Sequence, residues 1–202
     1  MNKDRQKLKI YDDWFEYFKD SISDDHLGYN VIFVSDCDGI LTDGRSYFNE
    51  NKTHKSYGSY DKEAIRFIVD YMGDSIQFVS DDSKGYIITN SRINHLNLST
   101  KSREIFCSNK GPKARYELLK NIHEQQQMAF DEKYILVFLG DSLSDIPALS
   151  VADIAMTTNN APDEVKKYCN YVSPLNGGMG GFADCIFHFY ENLKDVKSIL
   201  NI

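Results

Sequence analysis

The stretch Val31-Ile32-Phe33-Val34-Ser35-Asp36-Cys37-Asp38-Gly39-Ile40-Leu41-Thr42-Asp43-Gly44 decides the fold class of this chain. Its first four residues are apolar and mostly β-branched, which is typical of a strand buried on both faces in a parallel sheet. Two carboxylates, Asp36 and Asp38, follow where the apolar run stops, at the strand end where open α/β sheets bind ligands. Because neighbouring carboxylates repel each other, the pair favours a hard cation such as Mg²⁺. A lone D-x-D pair is equally consistent with two aspartates that cap a turn.

Three more short apolar runs read as strands, and polar groups follow each of them. Residues 76–80 end in Ser80, residues 104–107 lead to Lys113 and a helix that starts near Ala114, and residues 134–139 run into Asp141. Asp145 falls in the first turn of the next helix. Singly, these residues have structural explanations as a turn former, a solvated lysine and a complement to a helix dipole. Their order after Asp36 favours one shared site instead.

The strings D-x-D-G-x-L-T-D-G at 36–44 and G-D-S-x-x-D at 140–145 resemble the first and fourth motifs of the haloacid dehalogenase (HAD) superfamily of phosphotransferases. More narrowly, they resemble the branch that includes 3-deoxy-D-manno-octulosonate 8-phosphate (KDO8P) phosphatase. The resemblance implies Asp36 as nucleophile, Asp38 as general acid and base, and Lys113, or else Lys110, as the cation of the third motif. The remaining implied roles are Mg²⁺ binding by Asp36, Asp38 (through its backbone carbonyl) and Asp141, support by Asp145, and substrate binding by Ser80, Gly39 and Thr42. Lys84 is a candidate to bind substrate in place of a positive group of that branch which this chain lacks.

Two departures from the KDO8P phosphatase pattern leave the substrate open. That pattern has Thr-Gly-Arg where this chain has Ser80-Asp81-Asp82, and Met179 and Ala183 stand where its later arginines are expected. The resemblance implies a small sugar phosphate, such as a 3-deoxy-2-ulosonate phosphate. The alternatives are a nucleotide or another small phosphate, or a non-catalytic assembly module like the carboxyl-terminal domain of animal CMP-sialate synthetases.

The predicted architecture is an α/β fold with a three-layer, doubly wound, mostly parallel sheet over residues 30–202. A β-hairpin flap follows Gly44, and 202 residues leave no room for a large cap domain. Residues 1–29 form a helical arm whose aromatic stripe suits core or subunit contacts. Since capless relatives close each other's sites as tetramers, the resemblance implies a homotetramer.

Composition and charge restrict the kinds of partner that we expect this protein to bind. The net charge of -7 argues against a nucleic-acid partner. No signal peptide or long apolar span is visible, so we expect a cytoplasmic protein without a membrane partner. The four cysteines have neither zinc spacing nor C-x-x-C pairing, which favours free thiols.

Overall fold

A computed structural model of the chain describes residues 14–26, 29–45, 47, 54–83, 85–96, 105–109, 112–128 and 133–193. Six parallel strands form one sheet in the order β3-β2-β1-β4-β5-β6. The strands are β1 Tyr29–Asp36, β2 Ser75–Ser80, β3 Ile105–Asn109, β4 Lys133–Leu139, β5 Ile154–Thr157 and β6 Tyr171–Val172. The predicted doubly wound parallel sheet is thereby confirmed.

Helices cover both faces of this sheet. They are α1 Trp14–His26, α2 Asp61–Arg66, which continues as a π-helical segment Phe67–Met72, α3 Tyr86–Leu96, α4 Pro112–Met128, α5 Ile146–Leu149, α6 Asp163–Lys166 and α7 Gly181–Glu191. A 3₁₀ turn, Leu143–Asp145, precedes α5. None of the helices in the described part of the chain combines the length and the apolar character needed to span a bilayer.

The central strand β1 supplies both layers of the core. Val31 and Phe33 pack into a cluster with α2, α3 and α7, whereas Val34 packs on the opposite side with α4 and α5. All three side chains are essentially inaccessible to solvent. A strand buried on both faces is apolar at successive positions because each side chain meets a different layer of helices. This explains why the run 31–34 lacks the alternation of a half-exposed strand.

The described part of the predicted aromatic stripe, on α1, packs on the domain itself. Phe18 is 6% exposed and lies 5.1 Å from Phe67 between ring centroids, while Phe15 lies 5.2 Å from Tyr71. The stripe was predicted to make core or subunit contacts, and the residues of α1 make core contacts. Residues 1–13 lie outside the described residues, and the division of the chain at residue 29 stays a prediction.

Two antiparallel bridges mark the expected flap. Thr42 pairs with Tyr57, and Tyr47 pairs with His54. Residues 46 and 48–53 lie outside the described residues, so the bridges locate only the base of the hairpin. Lys55, next to the bridged His54, reaches the ends of β1 and β2, where it contacts Asp38 and Asp82.

Asp61 is a buried acid at the start of α2. Asp61 is the first helical residue, and Tyr60 occupies the N-cap position without a capping side-chain hydrogen bond. The Asp61 carboxyl is 1% exposed, and neither oxygen meets a hydrogen-bond partner among the described residues. Burial, the largest cause, raises the pKa of Asp61 to about 7, although the charge of Arg92 opposes the shift.

Candidate active site

Three acidic side chains meet at the carboxyl edge of the sheet. Asp36 ends β1, Asp141 follows β4 by two residues, and Asp145 closes the 3₁₀ turn. One carboxylate oxygen from each lies within 4.8 Å of the others. Since β1 and β4 are adjacent and parallel, their ends lie side by side. The predicted convergence of residues far apart in sequence is therefore present in the structure.

Arg115, which the sequence analysis did not single out, is the cation next to these acids. Its side chain is buried, and its Nη1 lies 3.4 Å from Asp36 and also contacts Asp145. Its Nη2 lies 2.7 Å from Asp81. Arg115 rises from the first turn of α4 and joins acids from β1, the end of β2 and the 3₁₀ turn. A buried guanidinium suits this role because its planar fork can face several carboxylates at once.

The predicted cation Lys113 lies at an exposed position, whereas Arg115 is fully buried, and the assignment of Lys113 stays a prediction. The helical periodicity of α4 explains why Arg115 is buried and Lys113 is exposed. Arg115, Leu119 and Ile122 follow each other at four- and three-residue steps and form the buried stripe of α4. Lys113 is off that stripe and lines a surface groove with Glu117. The alternative, Lys110, lies outside the described residues.

A second cation, Lys55, holds Asp38. The Lys55 side chain is 1% exposed, and its ammonium lies 2.7 Å from Asp38 and 3.1 Å from Asp82. It also donates to the hydroxyl of Thr89 in α3, at 2.9 Å. Lys55 returns from the flap, so no local motif connects it with the strand ends. Sequence reasoning missed it for that reason.

The loop after β1 is built around backbone groups. Thr42 Oγ1 accepts hydrogen bonds from the backbone N–H groups of Gly39 and Gly44 and donates to Asp38, at 3.2 to 3.3 Å. Thr42 is also fully buried, so it positions Asp38 and the loop, and its predicted contact with substrate stays a prediction. Asn160 braces the loop by donating to the Gly39 carbonyl, at 3.1 Å, and by accepting from Gly177 N–H, at 2.7 Å.

Only glycine fits at position 39 of this loop. Its φ of +92° lies in the left-handed region, and a Cβ there would lie 1.8 Å from Asp141 Oδ2. The Asp141 carboxylate therefore lies directly against the backbone of the D-x-D loop. This close approach brings Asp141 towards Asp36.

The pKa shifts of Asp36 and Asp141 indicate that the positive side chains of the site do not balance the negative charge of its acids. Burial, followed by the charge of Asp145, raises the pKa of Asp36 well above its usual range, although Arg115 opposes the shift. Burial, with the charges of Asp145 and Asp38, raises the pKa of Asp141 to about 7. Burial also opposes the charge of Arg115, but Asp36 and Asp145 outweigh it and raise the pKa of the guanidinium. One more positive charge would relieve this cluster.

The donor set fits a hard divalent cation. Asp141 Oδ1 is buried and meets no hydrogen-bond partner among the described residues. Asp145, by contrast, accepts bonds from the backbone of Asp141 and Ser142 and from the Ser142 hydroxyl. Asp36 and Asp141 are therefore the available ligands, whereas Asp145 fixes the turn and pairs with Arg115. Carboxylate oxygens with few protein ligands are typical of Mg²⁺ sites.

Two more predicted substrate contacts have different outcomes. Ser80 ends β2, and its Oγ accepts the backbone N–H of Asp82 at 3.2 Å, so the hydroxyl lies at the expected strand end. Lys84 lies outside the described residues. In place of the Gly-Arg pair of the resembled family, Asp81 and Asp82 pair with Arg115 and Lys55.

The haloacid dehalogenase-like hydrolase family matches residues 41–186, which is more than half of the chain. The match begins just after the D-x-D pair and includes Ser80, Arg115, Asp141 and Asp145. A curated relative, 3-deoxy-D-manno-octulosonate 8-phosphate phosphatase KdsC of Haemophilus influenzae, is 26% identical over 159 residues. That alignment covers 77% of this chain and 80% of the relative.

Solved structures have the same fold. The cobalt-bound deoxy-D-mannose-octulosonate 8-phosphate phosphatase YrbI of Haemophilus influenzae superposes with a TM-score of 0.61 and 22% identity, covering 86% of this chain and 92% of that one. The KDO8P phosphatase of Moraxella catarrhalis, solved with magnesium, phosphate and KDO, gives a TM-score of 0.60 and 17% identity over 90% of this chain and 93% of its own. At these identities the likeness concerns the fold alone.

Proposed function

This chain belongs to the haloacid dehalogenase-like hydrolases and is an enzyme of the phosphatase type, and we propose that it hydrolyses small phosphomonoesters through a phosphorylated Asp36. The observation that supports this most directly is the cluster of Asp36, Asp141 and Asp145 beside the buried Arg115. Phosphoryl transfer depends mainly on positioning and charge stabilisation, and these groups supply both. Sugar phosphates are the proposed substrate class, with a 3-deoxy-2-ulosonate phosphate as the example that the relatives suggest.

In the first step, a carboxylate oxygen of Asp36 forms a bond to phosphorus while the bond from phosphorus to the ester oxygen breaks. Asp36 is prepared for this attack because the backbone N–H of Cys37 binds its Oδ1 at 2.7 Å and Arg115 stands beside its Oδ2. Asp38 gives its proton to the departing oxygen. Lys55 and Thr42 hold the Asp38 carboxylate in place for this role.

In the second step, Asp38 takes a proton from water, and the water oxygen bonds to phosphorus as the bond to Asp36 breaks. Inorganic phosphate is released and Asp36 regains its carboxylate. Asp36 and Asp141, with the backbone carbonyl of Asp38, would hold Mg²⁺. When bound, Mg²⁺ supplies positive charge that neutralises the phosphoryl oxygens. Arg115 and the Ser80 hydroxyl are the protein groups proposed to bind those oxygens.

The test is Mg²⁺-dependent hydrolysis of p-nitrophenyl phosphate by the purified chain and by Asp36→Asn. We expect the variant to lose turnover by at least about 10³-fold, because an amide is a poor nucleophile and cannot form the acyl phosphate. A matched control is Asp163→Asn, which makes the same change at an exposed residue of α6. Wild-type protein should also accumulate a hydroxylamine-sensitive phosphoryl group.

Two outcomes would overturn the proposal. Turnover by folded Asp36→Asn at the wild-type rate would reject the nucleophile, and absence of hydrolysis by the wild type with Mg²⁺ would favour a non-catalytic assembly module. A homotetramer in the cytoplasm is part of the proposal, because a hairpin without a cap leaves the site of a single chain open. A monomer at micromolar concentration in light scattering would contradict that assembly.

A further inference from the structure

Gly39 lies between two of the groups proposed to hold Mg²⁺. Its nitrogen belongs to the same peptide group as the Asp38 carbonyl, and a Cβ on its α-carbon would lie 1.8 Å from Asp141 Oδ2. Glycine has the widest choice of backbone conformations of any residue, so the chain at Gly39 does not by itself fix the relative position of these two groups. Contacts from elsewhere in the fold must therefore restrain Gly39.

The N–H side of Gly39 is held by Thr42. The Gly39 N–H donates to Thr42 Oγ1 at 3.2 Å, and the peptide group between Asp38 and Gly39 is trans. In a trans peptide group the carbonyl points opposite to the N–H, so the Asp38 carbonyl points away from Thr42. This hydrogen bond restrains the first of the two peptide groups that meet at Gly39.

The carbonyl side of Gly39 is held by Thr158, which directly follows β5. Thr158 Oγ1 donates to the Gly39 carbonyl at 2.9 Å, and Thr158 is fully buried. Because the direction of that carbonyl defines the ψ angle of Gly39, this hydrogen bond restrains the second peptide group. A Cβ on Gly181 would lie 2.7 Å from Thr158 Cγ2, so the methyl group of Thr158 packs closely against the start of α7. That contact holds the side chain with its hydroxyl towards Gly39.

A second donor, Asn160, reaches the same carbonyl from an exposed position. Asn160 Nδ2 donates to the Gly39 carbonyl at 3.1 Å, while its Oδ1 accepts the Gly177 N–H at 2.7 Å. A Cβ on Gly177 would lie 1.9 Å from the Gly39 oxygen, so the glycine loop, residues 176–181, lies directly against this carbonyl. Water can replace an exposed donor, whereas the loss of a buried donor leaves its acceptor unsatisfied. Thr158 is therefore the donor that the carbonyl cannot exchange.

We propose that Thr158 is a positioning residue of the metal site, and that its hydrogen bond to Gly39 sets the affinity for Mg²⁺ by fixing the Asp38 carbonyl relative to the Asp141 carboxylate. This inference rests on the proposed function, which assigns those two groups to the metal ion. Replacing a residue that orients metal ligands from outside the coordination sphere typically costs about 10- to 100-fold in metal affinity or activity.

The experiment measures the dissociation constant of Mn²⁺, a paramagnetic substitute for Mg²⁺, from the electron paramagnetic resonance signal of the free ion in titrations of metal-free protein. Thr158→Val keeps the shape of the side chain and removes the donor, so we expect it to bind Mn²⁺ at least about tenfold more weakly. Thr158→Ser keeps the donor and removes the methyl group, so it should bind Mn²⁺ more tightly than Thr158→Val. The Mg²⁺ concentration for half-maximal hydrolysis of p-nitrophenyl phosphate should rise in parallel.

Thr157→Val is the matched control for Thr158→Val. Thr157 is equally buried, but its Oγ1 meets no hydrogen-bond partner among the described residues. Its replacement by valine should therefore leave the Mn²⁺ dissociation constant unchanged. Urea unfolding of both variants separates an effect on the metal site from an effect on stability.

A second variant, Asn160→Asp, changes the same contact at an exposed position where folding is not at risk. It keeps an acceptor for Gly177 and places a carboxylate against the Gly39 oxygen, so it should weaken Mn²⁺ binding although it adds a negative charge near a cation site. Asn159→Asp adds the same charge at a neighbouring exposed residue whose amide donates to the glycine loop, and it should not weaken binding.

Wild-type Mn²⁺ affinity in folded Thr158→Val would overturn this inference, and so would an equal loss in Thr157→Val. A Thr158→Ser variant that binds as weakly as Thr158→Val would assign the effect to packing and would also overturn it. If Thr158→Val does not fold, equal affinities in Asn160→Asp and Asn159→Asp would overturn it. The expected Mn²⁺ affinities, without hydrolysis of p-nitrophenyl phosphate by the wild type, would support the role of Thr158 and overturn the proposed function instead.

Discussion

Replacing Arg115 by methionine removes the cation that stands between Asp36, Asp81 and Asp145 while keeping a long side chain in the buried stripe of α4. Asp145 is fully buried and Asp36 is 4% exposed, so neither carboxylate can recover its lost partner by turning to bulk water. Removing one partner of a buried ion pair typically costs about 3–5 kcal/mol of stability. We expect Arg115→Met to fall in this range, because two of its three partners are almost completely buried.

The catalytic effect is expected to be separable from the loss of stability. Without Arg115, the attack of Asp36 on a phosphate dianion loses the protein cation beside the nucleophile. Loss of one electrostatic donor at a reacting oxyanion costs about 10²–10³ in kcat. Arg115→Lys keeps the charge but cannot present a fork to several carboxylates, so its activity should be intermediate.

The assays are urea unfolding followed by circular dichroism, and kcat for p-nitrophenyl phosphate at saturating Mg²⁺. Lys113→Met is the matched control, since it removes a cation from the same helical turn at an exposed position. The control should lie within about 0.5 kcal/mol of the wild type in stability and should keep its activity. If Lys113→Met lost activity and folded Arg115→Met retained it, the assignment of the site cation to Arg115 would be refuted.

Two other substitutions test the loop after β1 and the buried acid of α2. Gly39→Ala should reduce kcat by at least about 10²-fold, because its Cβ would meet Asp141 and its φ is positive. The control Gly73→Ala has a similar φ of +73° but open space around it, so it should lower stability without lowering kcat. Equal losses of kcat in the two variants would contradict the argument. Asp61 binds its proton more tightly in the folded state, with a pKa of about 7, so stability should fall as pH rises from about 4 to 7, by up to about 4 kcal/mol. Asp61→Asn should reduce the loss of stability between pH 5 and pH 8 in metal-free urea titrations, whereas Asp36 and Asp141 keep their own contributions. An identical loss of stability in the two proteins would refute the pKa shift of Asp61.

The fold class could be predicted because its determinants are local. The run Val31–Val34 is apolar at every position, as a strand between two helical layers must be, and the predicted parallel sheet is confirmed. The positions of Asp36 and Asp141 in the site could also be predicted. Both come at the ends of apolar runs, and the ends of parallel strands share one edge of the sheet. The burial of Arg115 could in principle have been predicted, because Arg115 lies on the same helical stripe as Leu119 and Ile122. A sequence motif for a lysine at a helix start directed attention to the exposed Lys113 instead.

The sequence by itself determined where the negative charge of the site is placed, because a carboxylate that follows a buried strand has one position along the chain and one edge of the sheet. Tertiary structure alone decided how that charge is compensated. Lys55 arrives from the flap to pair with Asp38 and Asp82, and no periodicity within residues 54–60 encodes that contact. Strand position is a local property of the chain, whereas ion pairing depends on which distant side chains the packed helices and the hairpin bring within a few ångströms.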